Sequence, residues 1–281
     1  MRALGIDVGV RKGLDLVLLE DRTVLDTARH VRVEDVAGAT ADLGPDVVAI
    51  DAPPAWASTG RSRRTERELR WFGIQCFNTP SDSRMAKHPF YEWMTVGFSV
   101  FRALEASFPR YRGGAVRGTA IEVFPHASAV VLAGCLPPKG SSPHAWRREV
   151  LHTHGLDVRG LRSADQVDAA LAALTGRFAL QRRFSAPGDP REGQIVVPAV
   201  SLPAHPYRRG AASPRPEGQP ALPGMSACGC GDPACSAMTA REFARGHDAK
   251  RKSSLWTLAR SGQEALEELR SRGWALPPEM R

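Results

Sequence analysis

No run of apolar residues in this 281-residue chain approaches the length of a membrane span, and no internal repeat is present. The five cysteines, three of them crowded near the C-terminus, do not make a secreted disulfide framework. A secretory signal is missing too, because Asp7 interrupts the first apolar stretch far too early. These absences point to a soluble, cytoplasmic protein with no membrane partner. Acids are in deficit, 30 Asp and Glu against 38 Lys and Arg, and the resulting formal charge of +8 suits an anionic partner such as nucleic acid. The length suffices for one full core and an appendage.

Residues 2–9 (RALGIDVG) and 14–20 (LDLVLLE) read as strands joined by a turn at Arg11-Lys12-Gly13, and 23–33 as a third strand after a tight turn at Asp21-Arg22. A short helix is expected over 34–43, stopped by Gly44-Pro45. DVVAI (46–50) is a continuous apolar run into Asp51, the pattern of a buried parallel strand. A charged helix is expected from Arg63 to Phe72 and a longer apolar one from Phe90 to Phe108. GTAIEVF (118–124) reads as a strand stopped by Pro125, and Ser163 to Thr175 as a helix opened by a capping box of Ser163 and Gln166. QIVVPAV (194–200) reads as an edge strand, because Pro198 lacks the N–H of a central one. A meander followed by crossovers predicts one mixed sheet covered by helices over residues 1–203. A Pro/Gly-rich linker (204–224) and a small Cys-bearing module (225–281), with a helix near 263–272, complete the chain.

The stretch GIDVG (5–9) puts one carboxylate at the end of a strand, and Asp51 ends its own strand in the same way. As parallel neighbours, the two strands would bring both acids to the carboxyl edge of the sheet, where open α/β sheets bind ligands. Like charges at that range require a cation between them or a proton on one. Glu122, on the next strand, is a candidate third member. In SADQVDAALAAL, Asp165 and Asp168 share a helical face, and Asp168 sits among Ala164, Leu171 and Ala172. A carboxylate on a packing face needs a metal or a buried arginine partner. Asp165, at the second helical position, also has a role at the positive helix end. Arg63, Arg67 and Arg70 lie near one helical face and can clamp a phosphate, or merely form a solvated helix face with acidic neighbours. Trp71, Phe77 and Trp93 can stack bases or fill the core; His126 can be a proton carrier or a packed ring. Cys76 and Cys135 read as ordinary half-buried thiols. In the C-terminal module Cys228, Cys230, Cys235 and His247 read as a Cys₃His set for a structural Zn²⁺, the alternative being a disordered Cys-bearing tail, and Lys250-Arg251-Lys252 follows them.

Taken together, GIDVG, AIDAPP, RRTERELR, IEVFPHAS and DQVDAALAAL, in that order, resemble the predicted RNase H-like nucleases grouped as domain of unknown function four-two-nine, over roughly residues 1–203. That resemblance implies an α/β, RNase H-like mixed sheet flanked by helices. It also implies a metal-dependent nuclease that hydrolyses phosphodiester bonds of DNA or RNA by a two-metal-ion mechanism with Mg²⁺ or Mn²⁺. Asp7, Asp51 and Asp168 would hold metal, with Asp165 and Glu122 as further catalytic acids. Two other readings compete: a non-catalytic nucleic-acid-binding adaptor on the same fold, and an actin-like phosphotransferase. The last is opposed by Val10, which stands where a phosphate loop needs a hydroxyl, and by Pro53-Pro54, which supply no N–H groups for a phosphate cradle.

Overall fold

Glycine and aspartate at the tips of a short apolar meander set the first half of the sheet. The computed structural model describes residues 1–81, 88–210, 226–227, 238–239, 255, 263–272 and 276. Strands β1 (Arg2–Gly9), β2 (Gly13–Glu20) and β3 (Thr23–Val31) pair antiparallel in sequence order. Gly13 turns the first corner at φ +79°, where a Cβ would also meet the Val31 carbonyl oxygen at 2.8 Å. After α1 (Val36–Leu43), ended by left-handed Gly44, β4 (Val47–Asp51) lies parallel beside β1. β5 (Ala120–Val123) lies parallel to β4, β7 (Gly193–Val196) parallel to β5, and the two-residue β6 (Gly188–Asp189) antiparallel to β7. The order across this mixed sheet is β3-β2-β1-β4-β5-β7-β6.

The segment expected to be an edge strand therefore has a neighbour on both sides. Pro198 lies beyond Val196, the last residue of β7, so its missing N–H costs no bond within that strand. The charged helix is α2 (Arg64–Trp71) and the apolar one is α3 (Glu92–Leu104), shorter than the expected 90–108. Two helices were not expected, α4 (Pro125–Ala133) and α5 (Pro143–Thr153). Each opens on a proline in its first turn, where an N–H has no helical partner anyway. Pro125 thus ends one element and begins the next.

The last long helix, α6 (Ala164–Leu180), runs five residues past the expected Thr175. Ser163 Oγ accepts from the Gln166 N–H at 3.0 Å, whereas Gln166 Oε1 accepts from the Arg162 N–H at 2.7 Å, one residue before the cap. Sheet parity separates the two faces. Leu4, Ile6, Leu16, Val48 and Ile50 pack with Val36 of α1 and Val100, Phe101 and Leu104 of α3. Ala3, Val47 and Ala49 pack with Ala172 and Ala179 of α6 on the other side. Here the helix lies close to the strands. A Cβ on Gly5 would sit 1.8 Å from the Ala169 carbonyl oxygen and 2.5 Å from the Ala173 nitrogen.

The chain divides into two compact units, Met1–Ala212 and Ser213–Arg281. Part of the expected linker is fastened within the first unit. Leu136 donates to the Arg208 carbonyl and accepts from the Gly210 N–H, both at 2.8 Å, and the Tyr207 N–H donates to the Phe72 carbonyl at 2.9 Å. Residues 211–224 of that linker lie outside the described residues. In the second unit β8 (Ser226–Ala227) pairs antiparallel with β9 (Met238–Thr239), and α7 (Gln263–Ser271) is the helix expected near 263–272. Among the described residues, no helix is long and apolar enough to cross a membrane.

Candidate functional site

Three carboxylates meet on the α6 face of the sheet, and period-two geometry puts them there. Along β1, residues 3, 5 and 7 face α6; along β4, residues 47, 49 and 51 do the same. Asp7 and Asp51 are register partners at the carboxyl ends of these parallel strands. Asp168, one helical turn beyond Ala164, approaches from α6 closely enough to repel both. Burial first, and then Asp168, Asp165 and Asp15, push Asp7 up to about 8, against the pull of Arg147. Burial, followed by Asp7 and Asp168, raises Asp51 well above the usual carboxylate range. Burial raises Asp168 to about 6 despite Arg147. Neither Asp7 nor Asp51 receives a side-chain hydrogen bond from the described residues.

Two residues of this centre escaped the sequence reading. Asp15 of β2 faces Asp7 in the antiparallel register and is 3% exposed. It accepts from Ser163 Oγ at 3.2 Å and pairs with Arg29 at 3.5 Å, so it ties the start of α6 to the meander. Its signal was an acid inside the apolar run LDLVLL. The second is Arg147 of α5, whose Nε lies 2.9 Å from Asp168 Oδ1. The pair is poorly aligned, and both atoms are buried without a hydrogen bond. The arginine partner weighed for Asp168 is therefore present, but it leaves that oxygen's hydrogen-bonding capacity unused. Asp165 stands at the rim of the site, 3.2 Å from Lys12 Nζ.

Glu122 is a correction. Its register partner is Ile50, which faces α3, so Glu122 projects from the opposite side of the sheet to Asp7 and Asp51. There Arg63 holds it bidentately, Nη1 to Oε2 at 2.7 Å and Nη2 to Oε1 at 2.5 Å. Glu66 takes Arg63 Nε at 3.0 Å, the Arg63 N–H at 3.0 Å and the Thr79 N–H at 2.9 Å. Burial alone would lower the Arg63 pKa, yet the two carboxylates raise it. Arg63 is 2% exposed, so its expected role as a phosphate clamp is corrected as well. It fastens α2 to β5. The other two arginines diverge from it: Arg67 is exposed and donates to the Ser62 carbonyl at 2.5 Å, and Arg70 donates to Asn78 Oδ1 at 2.5 Å.

His126 packs against Phe124 and Trp146, and burial, then Arg147, lowers its pKa. Cys76 and Cys135 are half-buried free thiols. Cys228, Cys230, Cys235 and His247 lie outside the described residues. As the side chains stand, no group of three or more His, Cys, Asp or Glu among the described residues is drawn together tightly enough to hold a metal ion. No curated protein and no solved structure matches the chain. The family model described as Protein of unknown function (DUF429) matches residues 5–192, a span that contains Asp7, Asp51, Asp168 and the Arg63–Glu122 pair. With well over half its length matched, the chain belongs to the DUF429 family.

Proposed function

We propose that this DUF429 member is a metal-dependent nuclease of RNase H-like architecture, hydrolysing phosphodiester bonds of DNA or RNA. The observation that carries this reading is the register pairing of Asp7 with Asp51 beneath Asp168, three half-buried acids without hydrogen-bond donors of their own apart from the misaligned Arg147. Acids so placed hold protons until a cation replaces them. An all-oxygen set suits Mg²⁺ or Mn²⁺, and Asp168 Oδ1, which has no hydrogen bond, is a candidate third ligand beside Asp7 and Asp51. Metal bound there would supply the charge that activates a water and stabilises the leaving oxygen of an in-line displacement. The sheet order β3-β2-β1-β4-β5, with β2 alone reversed among these last four, is similar to the RNase H-like arrangement and supports the same reading. On this reading Arg67 and Arg70 of α2 steer the phosphate backbone, and the excess positive charge of the chain assists them.

A second reading rests on Arg147. An arginine beside Asp168 already compensates part of the acid charge, as it would in a non-catalytic nucleic-acid-binding adaptor. Incubation of the purified chain with single- and double-stranded DNA and RNA, with Mg²⁺, Mn²⁺ or chelator, separates the two. Metal-dependent cleavage that disappears in Asp7→Asn supports the nuclease; binding without cleavage under every condition supports the adaptor.

A further inference from the structure

Beside Asp51, but on the α3 side of the sheet, lies a cavity of about 370 Å³. This is at the small end of the roughly 300–1,000 Å³ typical of small-molecule sites, room for one small ring system and no duplex. Aromatic rings make its walls: Phe77, Phe90, Trp93 and Phe124. Phe77 meets Phe90 edge-on at 5.4 Å and Trp93 at 5.9 Å between centroids. Phe77 and Phe90 are 56% and 46% exposed, unusual for large rings unless something covers them. The charged groups in the lining offer a ligand little, because Arg63, Glu66 and Glu122 satisfy one another. The Cys76 thiol donates to the Glu66 carbonyl oxygen at 3.5 Å. Burial and then Glu66 push that thiol up to about 11, so it stays neutral. What remains is a largely apolar, ring-walled slot with Asp51 in its wall.

We infer that this slot receives one unstacked nucleobase of the strand whose phosphate lies at the acid cluster, making single-stranded or locally unpaired nucleic acid the substrate class. The inference rests on the nuclease reading of Asp7, Asp51 and Asp168, and Asp51 is the residue common to both sites. Stacking on aromatic rings tolerates every base, since each has a π-face, and the ring-walled part of the lining carries no charged group to discriminate among them. Base identity then matters little, whereas the presence of a base and its freedom from a duplex matter greatly.

The test uses the full chain carrying Asp7→Asn, to prevent turnover, and fluorescence anisotropy with three probes. These are a mixed-sequence single-stranded oligonucleotide, the same strand with several abasic positions, and the corresponding duplex. Expected is a preference for the intact single strand over the abasic strand by about tenfold or more. Adding Phe77→Ala should weaken binding of the intact strand to the abasic level, and Phe77→Leu, which keeps apolar bulk but no ring, should behave like Phe77→Ala. Equal affinity for intact and abasic strands, or a preference for duplex, overturns the base slot and leaves the nuclease reading standing. Failure of all three probes to bind overturns the nucleic-acid reading of the acid cluster and the base slot together.

Discussion

Between pH 3.8, the ordinary value for an aspartate, and about 8, the unfolded chain ionises Asp7 while the folded chain keeps its proton. The stability tied to this carboxyl is therefore intact below the lower value and is lost as pH rises through the upper one. Asp51 and Asp168 are raised as well, so their contributions fall in the same direction. Asp7→Asn removes the charge and keeps the shape. In chelator, it should melt several degrees above the parent chain near about pH 9 and almost with it near about pH 4, each kcal/mol being worth roughly 2–4 °C at this size. Calorimetry at the two pH values measures the difference, and a variant less stable than the parent near pH 9 would remove the like-charge account of the site. Glu122→Gln should behave oppositely. It removes the carboxylate that holds both Nη atoms of the buried Arg63 and leaves Glu66 as its remaining partner, and breaking such a pair costs about 3–5 kcal/mol. Cleavage per folded molecule should stay within a few-fold, so an inactive but stable Glu122→Gln would return Glu122 to the acid cluster. The sequence made Asp7, Asp51 and Asp168 legible because an acid at a strand end or on a packing face is conspicuous by type alone. Glu122 looked equivalent because its strand assignment was right; one residue of register, Ile50 rather than Asp51 opposite it, sends it to the other face.

At the scale of elements, the centre depends on how closely α6 lies against β1. Gly5 has no side chain and the alanines of α6 only methyl groups to hold the two elements apart, and a methyl group at position 5 would fall 1.8 Å from the Ala169 carbonyl oxygen. No side-chain rotation relieves a clash with backbone. Gly5→Ala should cost about 3 kcal/mol or more, the upper part of the range for overpacking. Because the same helix carries Asp168, the variant should also weaken Mn²⁺ binding in calorimetry even where urea denaturation shows it folded. Unchanged stability would mean that α6 stands further from the sheet than described. The first glycine of GIDVG thus serves the packing of α6 on β1. The meander, β4, α2 and the start of α6 were legible from turn residues, continuous apolar runs and a capping serine. α4 was not, since Pro125, Ala127, Ser128, Ala129 and Val130 are all buried and a helix covered on most sides shows no amphipathic stripe. α5 did carry a signal, Ser142 capping the Ala145 N–H with Pro143 behind it. Overlooking that signal is what hid Arg147 and with it the partner of Asp168.

For the whole molecule, the question is what the second compact unit contributes. Cys228 directly follows β8 in the sequence, Cys235 precedes β9 by three residues, and Cys230 and His247 complete a four-donor set. Three thiols and an imidazole suit Zn²⁺, and a closed structural site takes four such ligands. One Zn²⁺ per chain is expected in native mass spectrometry, with affinity falling in acid as the thiolates gain protons. Cys230→Ser should release it. The unit Met1–Ala212 has its own sheet and hydrophobic clusters. Its melting transition should therefore survive chelation of the zinc. Lys250-Arg251-Lys252 follows the zinc set, so deleting residues 225–281 should weaken nucleic-acid binding and flatten its salt dependence while leaving metal-dependent cleavage intact. Zinc absent from the intact chain, or retained in Cys230→Ser, would remove the metal from this unit. Cleavage lost on deletion, with the first unit still folded, would move the second unit from substrate capture into the catalytic machinery.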